Sequence, residues 1–238
     1  MILEVIQSNP MTQLLYKPTH NKLPLQLWQS SSWDNYQTWR DSDRPERIKL
    51  YYYQNKLLVE MGSEGINHSS IGDLFTMLFL LWFNQKQQQT FSSFGGCLLE
   101  KANQSSAAPD LVLYIGENYP TWHPGERRYI DLDRWRVPDL VGEISDTTLS
   151  SDLDEKKHLY ASLGIPEYWV IDVIGRRVFA FQLQDNNQYK ECDRSQALSG
   201  LPIDLLEKGL SRLQEASNGA VASWFSEQIQ SLDTSNHS

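Results

Sequence analysis

Two stretches decide the reading of this chain: Ala108-Pro109-Asp110-Leu111-Val112-Leu113-Tyr114-Ile115 and Pro138-Asp139-Leu140-Val141-Gly142-Glu143-Ile144-Ser145. Leu111 to Ile115 is a short continuous apolar run, which suits a strand buried on both faces. Asp139 to Ser145 forms a second short strand. A glutamate between Val141 and Ile144 is unusual there, because an ionised carboxylate inside a sheet is costly unless it is paired or bound to a metal. Gly142 before it leaves room for a ligand or another backbone. If the two strands are neighbours, Asp110 at the mouth of the first and Glu143 within the second meet on one face.

Outward from this pair, Ser151 is positioned to cap a helix, with Asp154 completing a capping box. Gly164 ends that helix and Pro166 enforces the stop. Lys156 lies one turn beyond Asp152 and one turn before Tyr160, so the three share a face. Asp152 is placed to orient Lys156, while Lys157 points elsewhere. Tyr168 to Val173 reads as a strand on which Tyr168 and Trp169 point to opposite faces. Ile174-Gly175 turns it into a strand from Arg177 to Leu183. A further short strand and a helix over about 211–230 follow.

Upstream, Ile48 to Tyr53 and Leu57 to Met61 form a hairpin around Gln54-Asn55. A helix over about 67–86 carries an apolar stripe of Ile71, Leu74, Phe75, Leu78 and Trp82. Phe91 to Glu100 is extended and broken at Gly95-Gly96. The polar loop from Gly116 to Pro138 holds Arg127, Arg128, Arg134 and Arg136, which suit either phosphate contacts or a solvated surface. Residues 1–45 read as a polar extension, of which Trp28, Trp33, Tyr36 and Trp39 dock on the body, and residues 46–232 as the domain.

The whole chain sets bounds on function. Its 238 residues suffice for one sizeable domain. A net charge of −9 argues against coating nucleic acid nonspecifically, so any such contact is local. Cys97 and Cys192 have no Cys-x-x-Cys partner, which speaks against a disulfide framework or structural zinc. No apolar run reaches the ~20 residues of a membrane span, and the start lacks a secretory pattern. We expect a cytoplasmic protein with no membrane partner.

Phosphodiester hydrolysis needs a hard cation held by carboxylates and a positive charge near the phosphate. Asp110, Glu143 and Lys156 supply those residue types. A plainer alternative fits the same residues: Asp110 caps a turn, Glu143 is exposed, and Lys156 pairs with Asp152 on a solvated helix.

The motifs also match a known pattern. Ala108-Pro109-Asp110-Leu-Val, Pro138-Asp139-Leu-Val-Gly-Glu143-Ile-Ser145, Asp152-Leu-x-x-Lys156-x-x-x-Tyr160 and Gly164-Ile-Pro-Glu167-Tyr168-Trp169-Val-Ile-Asp172 resemble the Uma-type family of candidate bacterial restriction endonucleases, within the PD-(D/E)XK nuclease superfamily. The resemblance runs from about Ile48 to Leu210 and includes Glu64-Gly-Ile-Asn-His68 and Ser199-Gly200-Leu201-Pro202. It implies an α/β fold of the restriction-endonuclease type, a mixed central sheet flanked by helices. It implies a catalytic set of Asp110, Glu143 and Lys156, with Asp110 and Glu143 holding Mg²⁺ or Mn²⁺. Ser145 stands where the superfamily's strand lysine would be, and Lys156 fits members in which that lysine has moved to the following helix. His68 matches a recurrent histidine of the family and joins Asp152 as a further contributor. The implied function is a metal-dependent endonuclease acting on nucleic acid, DNA first, as a homodimer. The alternative is a non-catalytic nucleic-acid-binding or regulatory module on the same fold. Glu60 and Glu64 read as surface or capping residues, each with an outside role at a second metal. Asp139 reads as a turn or supporting residue at the far end of the Glu143 strand.

Overall fold

A computed structural model describes residues 27–43, 47–62 and 65–234, so Glu64 lies outside the described residues. In chain order the strands are β1 (Gln29–Ser30), β2 (Ile48–Tyr53), β3 (Lys56–Met61), β4 (Phe91–Gly95), β5 (Leu99–Lys101), β6 (Ser105–Ala107), β7 (Leu111–Ile115), β8 (Ile130–Asp131), β9 (Leu140–Ser145), β10 (Glu167–Asp172), β11 (Arg177–Leu183) and β12 (Tyr189–Cys192). The helices are α1 (Trp33–Arg40), α2 (Ile66–Trp82, continued by a π-helical turn over Phe83–Gln87), α3 (Leu149–Leu153), α4 (Glu155–Ser162), α5 (Ile203–Arg212) and α6 (Asn218–Thr234). The chain is α/β, as the motifs imply. Its central sheet runs β12-β11-β10-β9-β7-β4, and a second sheet runs β1-β3-β2-β6-β5-β8. In the central sheet β9 and β10 are parallel and the other pairs antiparallel. The α3–α4 segment between β9 and β10 carries the chain back so that they can run in parallel.

Strand alternation sorts the core into layers. Leu111, Leu113, Leu140, Ile144, Trp169 and Ile171 pack against α2, α5 and α6 on one face of the central sheet. Val112, Tyr114, Val141, Tyr168 and Val170 face the other way, toward Tyr51 and Leu58 of the hairpin and Leu159 and Tyr160 of α4. The hairpin's outer face, with Leu50, Tyr52, Leu57 and Val59, is covered by Tyr36, Trp33 and Trp39 of α1. The aromatic part of the N-terminal region therefore docks, and the hairpin leaves no broad apolar face for a partner. Gln54 and Asn55 both adopt positive φ (49° and 58°). This is the two-residue turn that matches strand twist, and it fixes the register Tyr53↔Lys56 through Ile48↔Met61.

Three expectations change. The helix meant to start at Ser151 begins at Leu149 and breaks at Asp154 before resuming as α4. Ser151 is no cap; its hydroxyl accepts the Trp28 indole N–H at 3.1 Å. Asp152 is tied to Ser145 and Thr148, which draws the first turn against the end of β9. The C-terminal helix divides into α5 and α6, because Leu205, Leu206 and Leu210 already form an apolar stripe before position 211. Gly142 faces no ligand: a Cβ there would meet the Leu111 side chain at 3.2 Å. No described helix is long and apolar enough to cross a membrane.

Candidate active site

The β7–β9 ladder pairs Leu111 with Gly142, so the next step outward sets Asp110 opposite Glu143. Both side chains point between the two sheets, where β2, β3 and α4 close over them. A cavity of about 160 Å³ is lined by Asp110, Glu143, Lys156, Lys49, Glu60 and His68, with Asp146 to Thr148 at its rim.

Asp110 is 8% exposed. Its Oδ2 accepts the Ile144 backbone N–H at 2.8 Å and lies 3.1 Å from His68 Nε2. Its Oδ1 pairs with the Lys49 ammonium. Burial alone would raise its pKa, but His68 and Lys49 outweigh burial and hold it at about 2. Glu143 is buried more deeply. Tyr160 donates to its Oε1 at 2.5 Å, and the Tyr51 hydroxyl lies between the Ala108 carbonyl at 2.9 Å and Glu143 Oε2 at 3.2 Å. Burial pushes the Glu143 carboxyl well above the usual range; Lys156 opposes this and Asp110 adds to it.

Lys156 is 1% exposed. Its Nζ lies 2.9 Å from Asp152 Oδ1, 3.0 Å from Glu60 Oε2 and 3.6 Å from Glu143 Oε2, and sits over the Tyr51 ring at 4.1 Å. Burial pulls its pKa down, yet the three carboxylates raise it above an ordinary lysine, so it stays charged. Ser145 explains its position. On a strand, residues 143 and 145 share a face, and Ser145 Oγ donates to Asp152 Oδ2, which Thr148 Oγ1 also meets at 2.7 Å. Fixed by two hydroxyls, Asp152 presents its other oxygen to Lys156.

The structure thus brings together Asp110, Glu143, Lys156, His68 and Asp152. Asp139 stands apart at the far end of β9, accepting from Ile115 N at 2.6 Å and Arg136 at 2.8 Å. Arg136 is thereby a strut of the fold. Glu60 is corrected: it is buried, not a surface or capping residue. Sequence reasoning also passed over Lys49 and Tyr51. The signal was present, because counting back from the Gln54-Asn55 turn makes Lys49 the partner of Glu60. Glu60 within the apolar run Leu57–Met61 is the same anomaly as Glu143 in β9.

The donor set can be tested against a divalent cation. Among the described residues no three His, Cys, Asp or Glu side chains gather into a ready-made metal cage. Two hard carboxylates opposite each other at an open cavity do fit Mg²⁺ or Mn²⁺, because Mg²⁺ keeps several waters and is held by one or two carboxylates plus substrate phosphate. Lys49 and Lys156 supply the balancing charge on these acids.

A family model described as "Putative restriction endonuclease", named Uma2, matches residues 33–216. The chain belongs to the Uma2 family. The match begins at Trp33 and so takes in α1, ahead of the Ile48 start read from the motifs. A crystal structure of a "putative nuclease belonging to DUF820" from Anabaena variabilis is similar over 74% of this chain and 90% of its own, at 20% identity and a TM-score of 0.47. That likeness is too distant to carry the assignment, which rests on the Uma2 match. No curated protein matches the chain.

Proposed function

We propose that this Uma2-family chain is a divalent-metal endonuclease that hydrolyses phosphodiester bonds in nucleic acid, DNA first. The observation that carries the reading is Asp110 opposite Glu143 at an open cavity, with one ammonium beside each carboxylate. Asp110 and Glu143 would hold Mg²⁺ or Mn²⁺. The ion would polarise the phosphate and ease deprotonation of water. The chain's own residues set the stage. His68 and Lys49 keep Asp110 ionised. Tyr160 fixes one oxygen of Glu143, and Tyr51 and Lys156 flank the other, so that little reorganisation is left for the reaction. Lys156, held by Asp152 and Glu60, favours the ionised form of Glu143. A phosphate above the two acids would meet Lys49 on one side and Lys156 on the other. Cutting both strands of a duplex takes two such centres, which favours a homodimer as the working unit. Free Cys97 and Cys192 suit the cytoplasm.

The test is cleavage of single- and double-stranded DNA and RNA with Mg²⁺ or Mn²⁺, by wild type, Asp110→Ala and Glu143→Gln. Metal-dependent cleavage lost in both variants is expected. Cleavage that survives both would refute the site. No cleavage of any substrate would refute the nuclease reading in favour of a binding module.

A further inference from the structure

The loop from Gly116 to Pro138 encloses a cavity of about 620 Å³, within the ~300–1,000 Å³ of ordinary small-ligand sites. Four rings, Phe94, Trp122, Tyr129 and Trp135, and three guanidiniums, Arg127, Arg128 and Arg134, line it beside the carboxylates of Glu126 and Asp131. Trp122 leaves 52% of its surface in water although its indole N–H is fixed to the Glu126 carbonyl at 3.0 Å. The guanidiniums lie over rings: Arg128 is 5.6 Å from the Trp122 centroid and Arg134 is 5.3 Å from that of Trp135. Glu126 holds Arg134 at 2.6 Å. In a chain of net charge −9, this concentration of arginine beside aromatic faces is complementary to a flat ring carrying a phosphate.

The cavity lies beside a cleft that reaches the candidate active site. Phe94 in β4 lines both this cavity and a second cleft of about 550 Å³. That cleft runs past Gly95 and Gly96 to Asp110, His68 and Lys49. Phe94 thus stands between the aromatic cavity and the cleft that reaches Asp110.

We propose that the aromatic cavity is a nucleobase site that takes an unpaired base, stacked on Trp122, with its phosphate against Arg127 and Arg128. A base inside a duplex hides both faces in the stack, so only a single-stranded or flipped nucleotide can enter. The substrate is then a nucleic acid with an unpaired nucleotide near the bond to be cut. The last step, from bound strand to cut strand, rests on the nuclease reading above; binding does not.

Binding and cutting are therefore measured separately. Short labelled oligonucleotides, single-stranded and as blunt duplexes of the same sequence, are titrated with full-length protein in EDTA, and the same substrates are then incubated with Mg²⁺. The single strand should bind at least about tenfold more tightly than the duplex, in line with one or more stacked bases. Trp122→Ala should weaken single-strand binding by roughly 5- to 150-fold. Arg128→Ala should weaken it too and flatten its salt dependence, since a phosphate contact is lost. Arg177→Ala, an exposed arginine on β11, should leave affinity unchanged. Equal affinity for duplex and single strand, or full affinity in a folded Trp122→Ala protein, overturns the base site even if Mg²⁺-dependent cleavage is seen. Trp122-dependent binding without cleavage supports the base site and overturns the nuclease reading.

Discussion

Replacing Lys156 with Met keeps an unbranched side chain of similar length and removes only the charge. Three acids would lose their cation: Asp152 at 2.9 Å, Glu60 at 3.0 Å and Glu143 at 3.6 Å. At an effective dielectric near 20, each contact is worth roughly 5 kcal/mol of gross attraction, much of it offset by the desolvation of burying the charges. Deleting one partner from a buried ion pair costs about 3–5 kcal/mol, a large part of the ~5–15 kcal/mol that keeps a domain folded. The loss should depend on pH. Burial raises the Glu143 pKa in the folded protein and Lys156 opposes that rise, so the variant's Glu143 sits higher still. A carboxyl with a raised folded pKa contributes stability that is complete below its unfolded value of about 4.3 and is lost as pH climbs through the folded value. Wild-type Lys156, itself raised, keeps its contribution until pH exceeds the ordinary lysine value of about 10.4. Urea unfolding should therefore show the variant about 3–5 kcal/mol less stable near pH 8, with a smaller gap near pH 5. A gap under about 1 kcal/mol near pH 8, or one that widens on acidification, would refute the reasoning.

Asp110→Asn tests the opposite sign. The Asp110 pKa falls from 3.8 to about 2, so its contribution is present above the unfolded value and lost as pH drops through about 2. Wild type should lose about 2–3 kcal/mol more than the variant between about pH 6 and pH 2, read as urea midpoints. Cation binding should release a proton, because a hard metal needs Glu143 ionised and burial favours its neutral form. Titration calorimetry of Mg²⁺ or Mn²⁺ in buffers of different ionisation enthalpy should report it, with affinity rising with pH; heats that do not vary with the buffer would count against Glu143 as a ligand. Arg40→Met should free α1: Arg40 Nη1 lies 2.6 Å from buried Glu100, to which Tyr36 also donates at 2.5 Å. A loss of about 3–5 kcal/mol is expected, with faster proteolysis ahead of Ile48; an unchanged digestion pattern would show that α1 docks by its rings alone.

The elements legible in the sequence are those whose chemistry is local. Leu111–Ile115 and Tyr168–Ile171 have strand-length apolar runs, Gln54-Asn55 sets a hairpin, and Gly164 stops a helix at φ +76°. Asp110 and Glu143 stood out because a carboxylate in a buried strand needs a partner, and the ladder does set them opposite each other. The second sheet was harder to see. β5, β6 and β8 span three, three and two residues, and Ser105-Ser106 is buried by pairing with neighbours rather than by an apolar pattern of its own. Lys49 and Glu60 reach the cavity from that sheet, so their role depends on how two sheets stack, which no local pattern specifies. Ser151 looked like a cap because its spacing to Asp154 is right. The deciding contact lies elsewhere, in the grip of Ser145 on Asp152.

That grip also accounts for the position of the Lys156 ammonium. A strand lysine two residues after Glu143 would project from the same face and reach the carboxylates directly. Ser145 carries no charge to them, and the ammonium beside Glu143 comes from α4. An ammonium arriving along a helix must be steered, since a four-carbon stem has many rotamers and large entropy to lose. Asp152 steers it, and a fully buried Asp152 in turn needs the hydroxyls of Ser145 and Thr148. Glu60 takes a further bond from the ammonium at 3.0 Å, so that three carboxylates share one positive charge. The position of the ammonium is thus set by the carboxylates around it and not by the element that carries it. This is why Ser145, Asp152, Lys156 and Glu60 behave as one unit, and why changing any one of them should disturb Glu143 more than its own distance from the cavity suggests.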